Sequence, residues 1–388
     1  MKSGLRFLFI VLISVLLISS CTFTKNAKGE DMSEDSLANL WKKGTSADYK
    51  NPQKLENIGS YVICDVVEQF VGEKFMHGVS LEWYNGVLYA SYAFNNVKEN
   101  TYGEQCFWQK STDGGKTWSE PKEIKANTTG RSASHGVFFA HAESLYYMLP
   151  AVDFTTGAWV ITCELFKFDE GKQDWDYVSD IASGFWPNCA PQKTSGGWIA
   201  SGGSGKVYMS DGDNIEAPWK QIKIQMTLKA SETSCAVSGD NVFLIARPKV
   251  ATYETTSLGT DTSRFKLVVS KSVDGGVSFS PFDYSDIVAS PSRTYSGFLS
   301  DGRMYVIFNQ DYNRAESRNR LLIAVGEKGS MDLSKLYVVE EYTRPLSYPY
   351  AVERDGILYI GYSKGVGTGP NVNHNNEVVT LVPISNFN

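Results

Sequence analysis

The stretch Ser111-Thr-Asp-Gly-Gly-Lys-Thr-Trp118 decides how this chain reads, because it returns as Ser272-Val-Asp-Gly-Gly-Val-Ser-Phe279. The shared pattern is Ser-x-Asp-x-Gly-x-Ser/Thr-aromatic. In a tight turn the Asp carboxylate accepts backbone N–H bonds. The second Gly suits a positive φ that a Cβ resists. The aromatic ring anchors the turn on neighbouring strands. Two copies of so particular a turn imply a repeated β-unit. Weaker copies are Asp169-Glu-Gly171 with Trp175, and Asp211-Gly212 with Trp219.

A second repeat is an apolar strand, a short turn and another apolar strand. Its turns fall at Asn85-Gly86, Glu143-Ser144, Gly196-Gly197, Asp240-Asn241, Asp301-Gly302 and Asp355-Gly356. They recur roughly every 40–60 residues, about the chain that one four-stranded propeller blade needs. The expected fold is all-β: a β-propeller of four-stranded antiparallel blades, six by hairpin count, with room for a seventh. The intact boxes follow the first and fourth hairpins and belong between the two outer strands of their blades. Ring closure should join Val378-Val-Thr-Leu-Val-Pro383 to a strand around Tyr61-Val-Ile-Cys-Asp-Val66, since an unpaired edge invites aggregation.

The hairpins also locate candidate chemistry. Counting nine residues back from the second turn residue of each gives His77, His135, Asn188, Glu232 (or its neighbour Ser231), Arg293 and Ser347. All are polar, although each opens an otherwise apolar strand. In a propeller the innermost strands line a central channel, so these positions converge on one mouth. Arg247 and Asn309, just past the partner strands, reach the same face. Tyr295, Tyr348 and Tyr350 lie nearby. Strand ends on a rigid sheet are where function concentrates. His is an acid or base near neutral pH. Arg pairs bidentately with a carboxylate. The expected site uses His77, His135 and Tyr295 for catalysis, and Arg247, Arg293, Asn188, Asn309, Tyr348 and Tyr350 for binding an acidic sugar. The plainer reading of each His is a strand-end cap. Of the other two His, His141 falls inside a strand and His374 in a Gly/Asn-rich loop.

Composition excludes other classes. The chain has 388 residues, a net charge of −6, and no basic run longer than Lys42-Lys43, so it carries no nucleic-acid footprint. No ligand cluster has metal spacing, and no cofactor is implied. Residues 1–21 read as a lipoprotein signal peptide: Lys2 and Arg6, an apolar run Phe7–Ile18, then Ser19-Ser20-Cys21. Cys21 would carry the lipid and anchor a periplasmic or cell-surface protein; the competing reading is an ordinary signal peptide with Cys21 incidental. Residues 22–55 read as a polar tether, with a short amphipathic helix over Leu37, Leu40 and Trp41. Residues 56–388 read as one propeller domain. The remaining Cys64, Cys106, Cys163, Cys189 and Cys235 are odd in number and read as buried thiols.

The box pattern resembles the Asp box of the sialidase-like propellers. Sialidases open their arginine triad with Phe/Tyr-Arg-Ile-Pro, and this chain has no Arg-Ile-Pro. Further segments are His77-Gly-Val-Ser, Leu88-Tyr-Ala-Ser-Tyr, Glu99-Asn-Thr-Tyr-Gly-Glu104, Ser134-His-Gly-Val-Phe, Ser290-Pro-Ser-Arg-Thr-Tyr-Ser-Gly and Tyr348-Pro-Tyr-Ala-Val-Glu. They are similar to the propellers that cleave L-rhamnose-α-1,4-D-glucuronate, glycoside hydrolase family 145 and polysaccharide lyase family 42. That resemblance implies seven blades, a His in place of a carboxylate pair, and cleavage of rhamnose from a uronate by β-elimination or hydrolysis. His77 and His135 both match as the catalytic His. The competing expectations are a glycan-binding propeller without catalysis and an exo-sialidase-like hydrolase.

Overall fold

A computed structural model describes residues 38–70, 75–155, 159–225, 228, 230–248, 265–310, 317–366 and 374–388. Cys21 and the signal segment lie outside the described residues. Six antiparallel sheets follow one another along the chain. Blade one runs Phe75–Tyr84, Val87–Asn95, Gln105–Ser111 and Lys122–Ile124. In blade two a first strand broken into Ser132–Ala133 and Val137–His141 precedes Ser144–Asp153, Val160–Asp169 and Asp174–Ser183. Blade three is the smallest, with Gln192–Thr194, Gly197–Ser201, Val207–Met209 and Lys220–Ile222. Blade four holds Ala230–Ser238, Asn241–Pro248, Lys266–Ser272 and Asp283–Val288. Blade five holds Tyr295–Phe298, Met304–Asn309, Arg320–Gly326 and Leu333–Glu341. Blade six takes Leu346–Arg354, Ile357–Gly365 and Asn375–Pro383.

Closure occurs as expected: Gly59–Cys64 pairs antiparallel with Asn375–Pro383 and completes blade six. The hairpin count of six therefore holds among the described residues, against the seven that the family resemblance implies. First strands of blades six, one and two pack side by side, as do those of blades three to six. One core runs through all the blades, with Leu81, Val137, Ile199, Leu244, Ile307 and Ile360 fully or almost fully buried.

The boxes sit between third and fourth strands. Asp113 Oδ1 accepts from Lys116 N (3.1 Å), Thr117 N (2.9 Å) and Ser111 Oγ (2.8 Å), while Ser111 Oγ accepts from Gly115 N. Gly115 has φ +83° and its counterpart Gly276 has φ +88°. Trp118 folds back, its indole N–H on Gly115 O at 3.1 Å. The weaker copies occupy the same place in blades two and three, with Trp175 and Trp219 buried.

Three hairpin turns lie one residue earlier than the sequence suggested. His141 pairs with Ser144, Thr194 with Gly197 and Ser238 with Asn241, so the loops are Ala142-Glu143, Ser195-Gly196 and Gly239-Asp240. Ala142 and Glu143 take φ +45° and +57°, the left-handed pair a two-residue hairpin needs, without a Gly to advertise it. The body also starts earlier than residue 56. Leu40 and Trp41 are buried against blades four and five in extended chain, not helix, with both amides held by Asp286. Gln53–Lys54 adds a parallel strand outside blade five. The five described cysteines are free and buried.

Candidate functional site

The polar positions found by counting converge because every inner strand is irregular at that point. The pairing register slips between His77 and Ser80, between Ala230 and Thr233, and between Ser347 and Tyr350. Blade two's inner strand is broken around His135, and Asn188 and Arg293 lie just before their strands begin. A bulge bends its strand and re-aims a side chain. It also explains two tyrosines. In a regular strand Tyr348 and Tyr350 would share a face; the slip separates them, so that Tyr348 lines a cavity while Tyr350 enters the core. Tyr348 has φ +55°, a strained value for an aromatic residue.

That cavity holds about 540 Å³. Its lining combines charged groups, Glu99, Glu232, Arg247 and Arg318, with His135, Tyr348 and the aromatic rings of Trp159 and Trp186. The His77 and His135 rings meet edge to face at 4.5 Å, and His77 lies 4.1 Å from the Tyr348 ring. His77 Nε2 is 3.3 Å from Glu99 Oε1 without hydrogen-bond alignment. Arg247 Nη1 bonds Glu232 Oε2 at 2.8 Å. The Trp186 indole N–H donates to His135 O at 3.0 Å.

Electrostatics divides the groups by role. Burial lowers the pKa of His77. Burial, then His77 and Arg293, hold His135 well below the ordinary value. Both imidazoles are therefore neutral at pH 7, the form of a base. Burial pushes the Glu232 carboxyl up, but Arg247, Arg293 and a hydrogen bond from Tyr348 outweigh it and leave it a carboxylate.

His77, His135, Asn188, Arg247 and Tyr348 are brought together. Arg293 lies behind them, 1 % exposed, under the Tyr348 ring at 5.7 Å, with one nitrogen donating to Asn188 O and two without partners. The Tyr295 and Tyr350 rings pack at 4.5 Å, tilted by 41°, within the core, and neither lines the cavity. Asn309 staples blade five to blade six through Leu346 O at 2.9 Å and also stays out of the cavity. Glu99, Arg318, Trp159 and Trp186 escaped sequence reasoning. They sit at no repeated offset. A second concavity, about 510 Å³ beside Asp301, Arg303 and Phe387, has its arginine engaged by Asp301 and by C-terminal carbonyls. Among the described residues no group of three His, Cys, Asp or Glu is placed to hold a metal ion, and no helix is long and apolar enough to cross a membrane.

The architecture is that of a β-propeller, and solved propellers align with it. A protein of unknown function from Dyadobacter fermentans aligns with TM-score 0.62 at 14% identity, over 85% of this chain and all of that one. A sialidase from Streptococcus pneumoniae aligns at 0.60 and 12% identity, over 92% and 73%. An α-L-arabinanase from Penicillium chrysogenum, complexed with arabinobiose, aligns at 0.56 and 16% identity, over 84% and 98%. At these identities the likeness establishes the fold. No family model matches the chain, and no curated protein matches it.

Proposed function

We propose that the cavity binds an acidic oligosaccharide and cleaves the bond between a terminal sugar, L-rhamnose, and a uronic acid, on a protein anchored outside the cytoplasm through lipid on Cys21. The carrying observation is a neutral imidazole beside a carboxylate-binding edge: His135 lines the cavity with Arg247 and Arg318, and the His77 ring backs it at 4.5 Å. A base next to a guanidinium suits removal of the proton α to a uronate carboxylate, because the cation stabilises the anion that forms. His135 takes the C5 proton, the electron pair closes the C4–C5 double bond, the C4–O4 bond breaks, and O4 leaves with the rhamnose and takes a proton from water. Solved carbohydrate-handling propellers of this architecture support the substrate class.

A second reading rests on a separate contact. The Tyr348 hydroxyl lies near enough to the Glu232 carboxylate to help keep it ionised, which sets a nucleophile beside a base. Tyrosine serves as nucleophile in sialidases. In this reading the bond is hydrolysed and no unsaturated uronate appears. Incubating wild type, His135→Ala and Tyr348→Phe with rhamnose-capped arabinogalactan separates the two. Elimination gives rhamnose plus an ultraviolet-absorbing uronate and is lost in His135→Ala. Hydrolysis gives rhamnose without that absorbance and is lost in Tyr348→Phe. Binding without release of rhamnose refutes both.

A further inference from the structure

Behind His135 lies a carboxyl group that the proposed reaction has not used. Glu104 is 2 % exposed. Its main chain is tied to blade two's first strand: Ala133 N donates to Glu104 O at 3.0 Å, and Gly103 N to Ser132 Oγ at 3.0 Å. Its side chain accepts a hydrogen bond from the Ser134 hydroxyl, 3.0 Å from Oε1, with the Asn100 backbone N–H also acting on the carboxyl, while Oε2 is buried without a hydrogen bond. The same hydroxyl oxygen stands 3.4 Å from His135 Nδ1. Carboxyl, hydroxyl and imidazole form a line from the protein interior to the cavity wall, and Nε2 is the ring nitrogen left for a bound substrate.

We propose that Glu104, acting through Ser134, is a positioning residue that decides which nitrogen of His135 carries the proton and takes up the proton that His135 removes. A hydroxyl has one proton to donate. Ionised Glu104 only accepts, so Ser134 donates to it and turns a lone pair to Nδ1. Nδ1 then carries N–H, and Nε2 offers its lone pair to the cavity. Protonated Glu104 donates to Ser134, Ser134 donates to Nδ1, and Nε2 carries the proton.

The two states are joined by a balanced transfer. Nε2 takes a proton from substrate, the Nδ1 proton passes to Ser134 Oγ, and the Ser134 proton passes to Glu104 Oε1. One N–H bond forms at Nε2 and one breaks at Nδ1; the carboxylate ends as a carboxylic acid, and the ring is neutral before and after. The surroundings favour this route over an imidazolium. Burial, His77 and Arg293 disfavour charge on His135. Burial raises Glu104 to about 8, with Glu99 adding to the rise and Ser134 opposing it, so the carboxyl is a ready proton acceptor. His77 itself faces Glu99, Glu232, Arg293 and Arg318. The catalytic use of the relay rests on the function proposed above, but the tautomer of His135 does not.

The test is a long-range proton–nitrogen spectrum of full-length protein labelled with 15N-histidine, with His135 assigned through His135→Ala. Wild type should change from the Nε2–H to the Nδ1–H pattern as pH rises through about 8, with no imidazolium signal. Ser134→Ala and Glu104→Gln should abolish that change. A constant His135 tautomer from acid to alkaline pH in wild type, or a change that persists in Ser134→Ala, overturns the relay. Ser134→Ala removes one hydroxyl and carries the test if Glu104→Gln fails to fold. A protein that switches tautomer but cleaves no glycan keeps the relay and loses the proposed reaction; one that cleaves with a fixed tautomer does the reverse.

Discussion

Gly78 and His135 are locked together: a Cβ on Gly78 would stand 2.4 Å from His135 Cγ, and Gly78 adopts φ +81°. The bulge that aims His77 thus also makes the seat for the neighbouring blade's imidazole. Gly78→Ala should cost about 1–3 kcal/mol from backbone strain and overpacking. Thermal melting reads the loss, and activity should fall further than the folded fraction does because the His135 ring is displaced.

Cleavage should weaken as pH falls through about 8 and should not follow an ordinary His. Burial lowers the pKa of both imidazoles, so neither becomes an imidazolium near 6.5. Protonated Glu104 instead turns the His135 proton to Nε2 and removes the base. The acid limb of kcat/KM should lie near 8 in wild type and move down in Ser134→Ala; a limb near 6.5 in both contradicts the assignment.

Stability has an alkaline weakness of its own. Buried Glu377 accepts from Ser363 Oγ at 2.9 Å, and Ser363 accepts from Gly78 N. Burial raises its carboxyl to about 8 from 4.5. A raised folded value means its contribution is full below 4.5 and is lost as pH rises through about 8. Glu377→Gln should flatten the fall in melting temperature over that range, measured by scanning calorimetry at several pH values.

The Asp boxes tie the turn between two outer strands, and none of their residues lines the cavity. Asp113→Ala removes the acceptor of two backbone N–H groups and of the Ser111 and Thr117 hydroxyls. Its melting temperature should fall, with activity per folded molecule unchanged.

Lipid attachment is checked by metabolic labelling. Radiolabelled palmitate should enter wild type and be absent from Cys21→Ser, which should also lose membrane fractionation.

The architecture was legible where a turn demands a particular backbone. Asn85-Gly86, Asp355-Gly356 and the two boxes need positive φ, and their spacing counted the blades. Ala142-Glu143 adopts the same conformation without the usual residues, so its turn was misplaced by one. The converging ring was legible because equal offsets in equivalent blades meet at one mouth. Bulges were not, and they decide that Tyr348 faces the cavity while Tyr350 does not. Tyr295 shows the remaining ambiguity: a tyrosine at a strand start fits a core as well as a site. Arg318 and Trp159 come from loops with no repeated position, where no periodicity could reveal them.

The central claim is that His135 works as a base on a uronate held at the arginine edge. The most direct measurement follows rhamnosyl-α-1,4-glucuronate oligosaccharide with wild type and His135→Ala, reading free rhamnose and the absorbance of unsaturated uronate together. The account predicts both products from wild type and a loss of at least about 100-fold in the variant. Equal turnover by both proteins, or binding with no product from either, would contradict it.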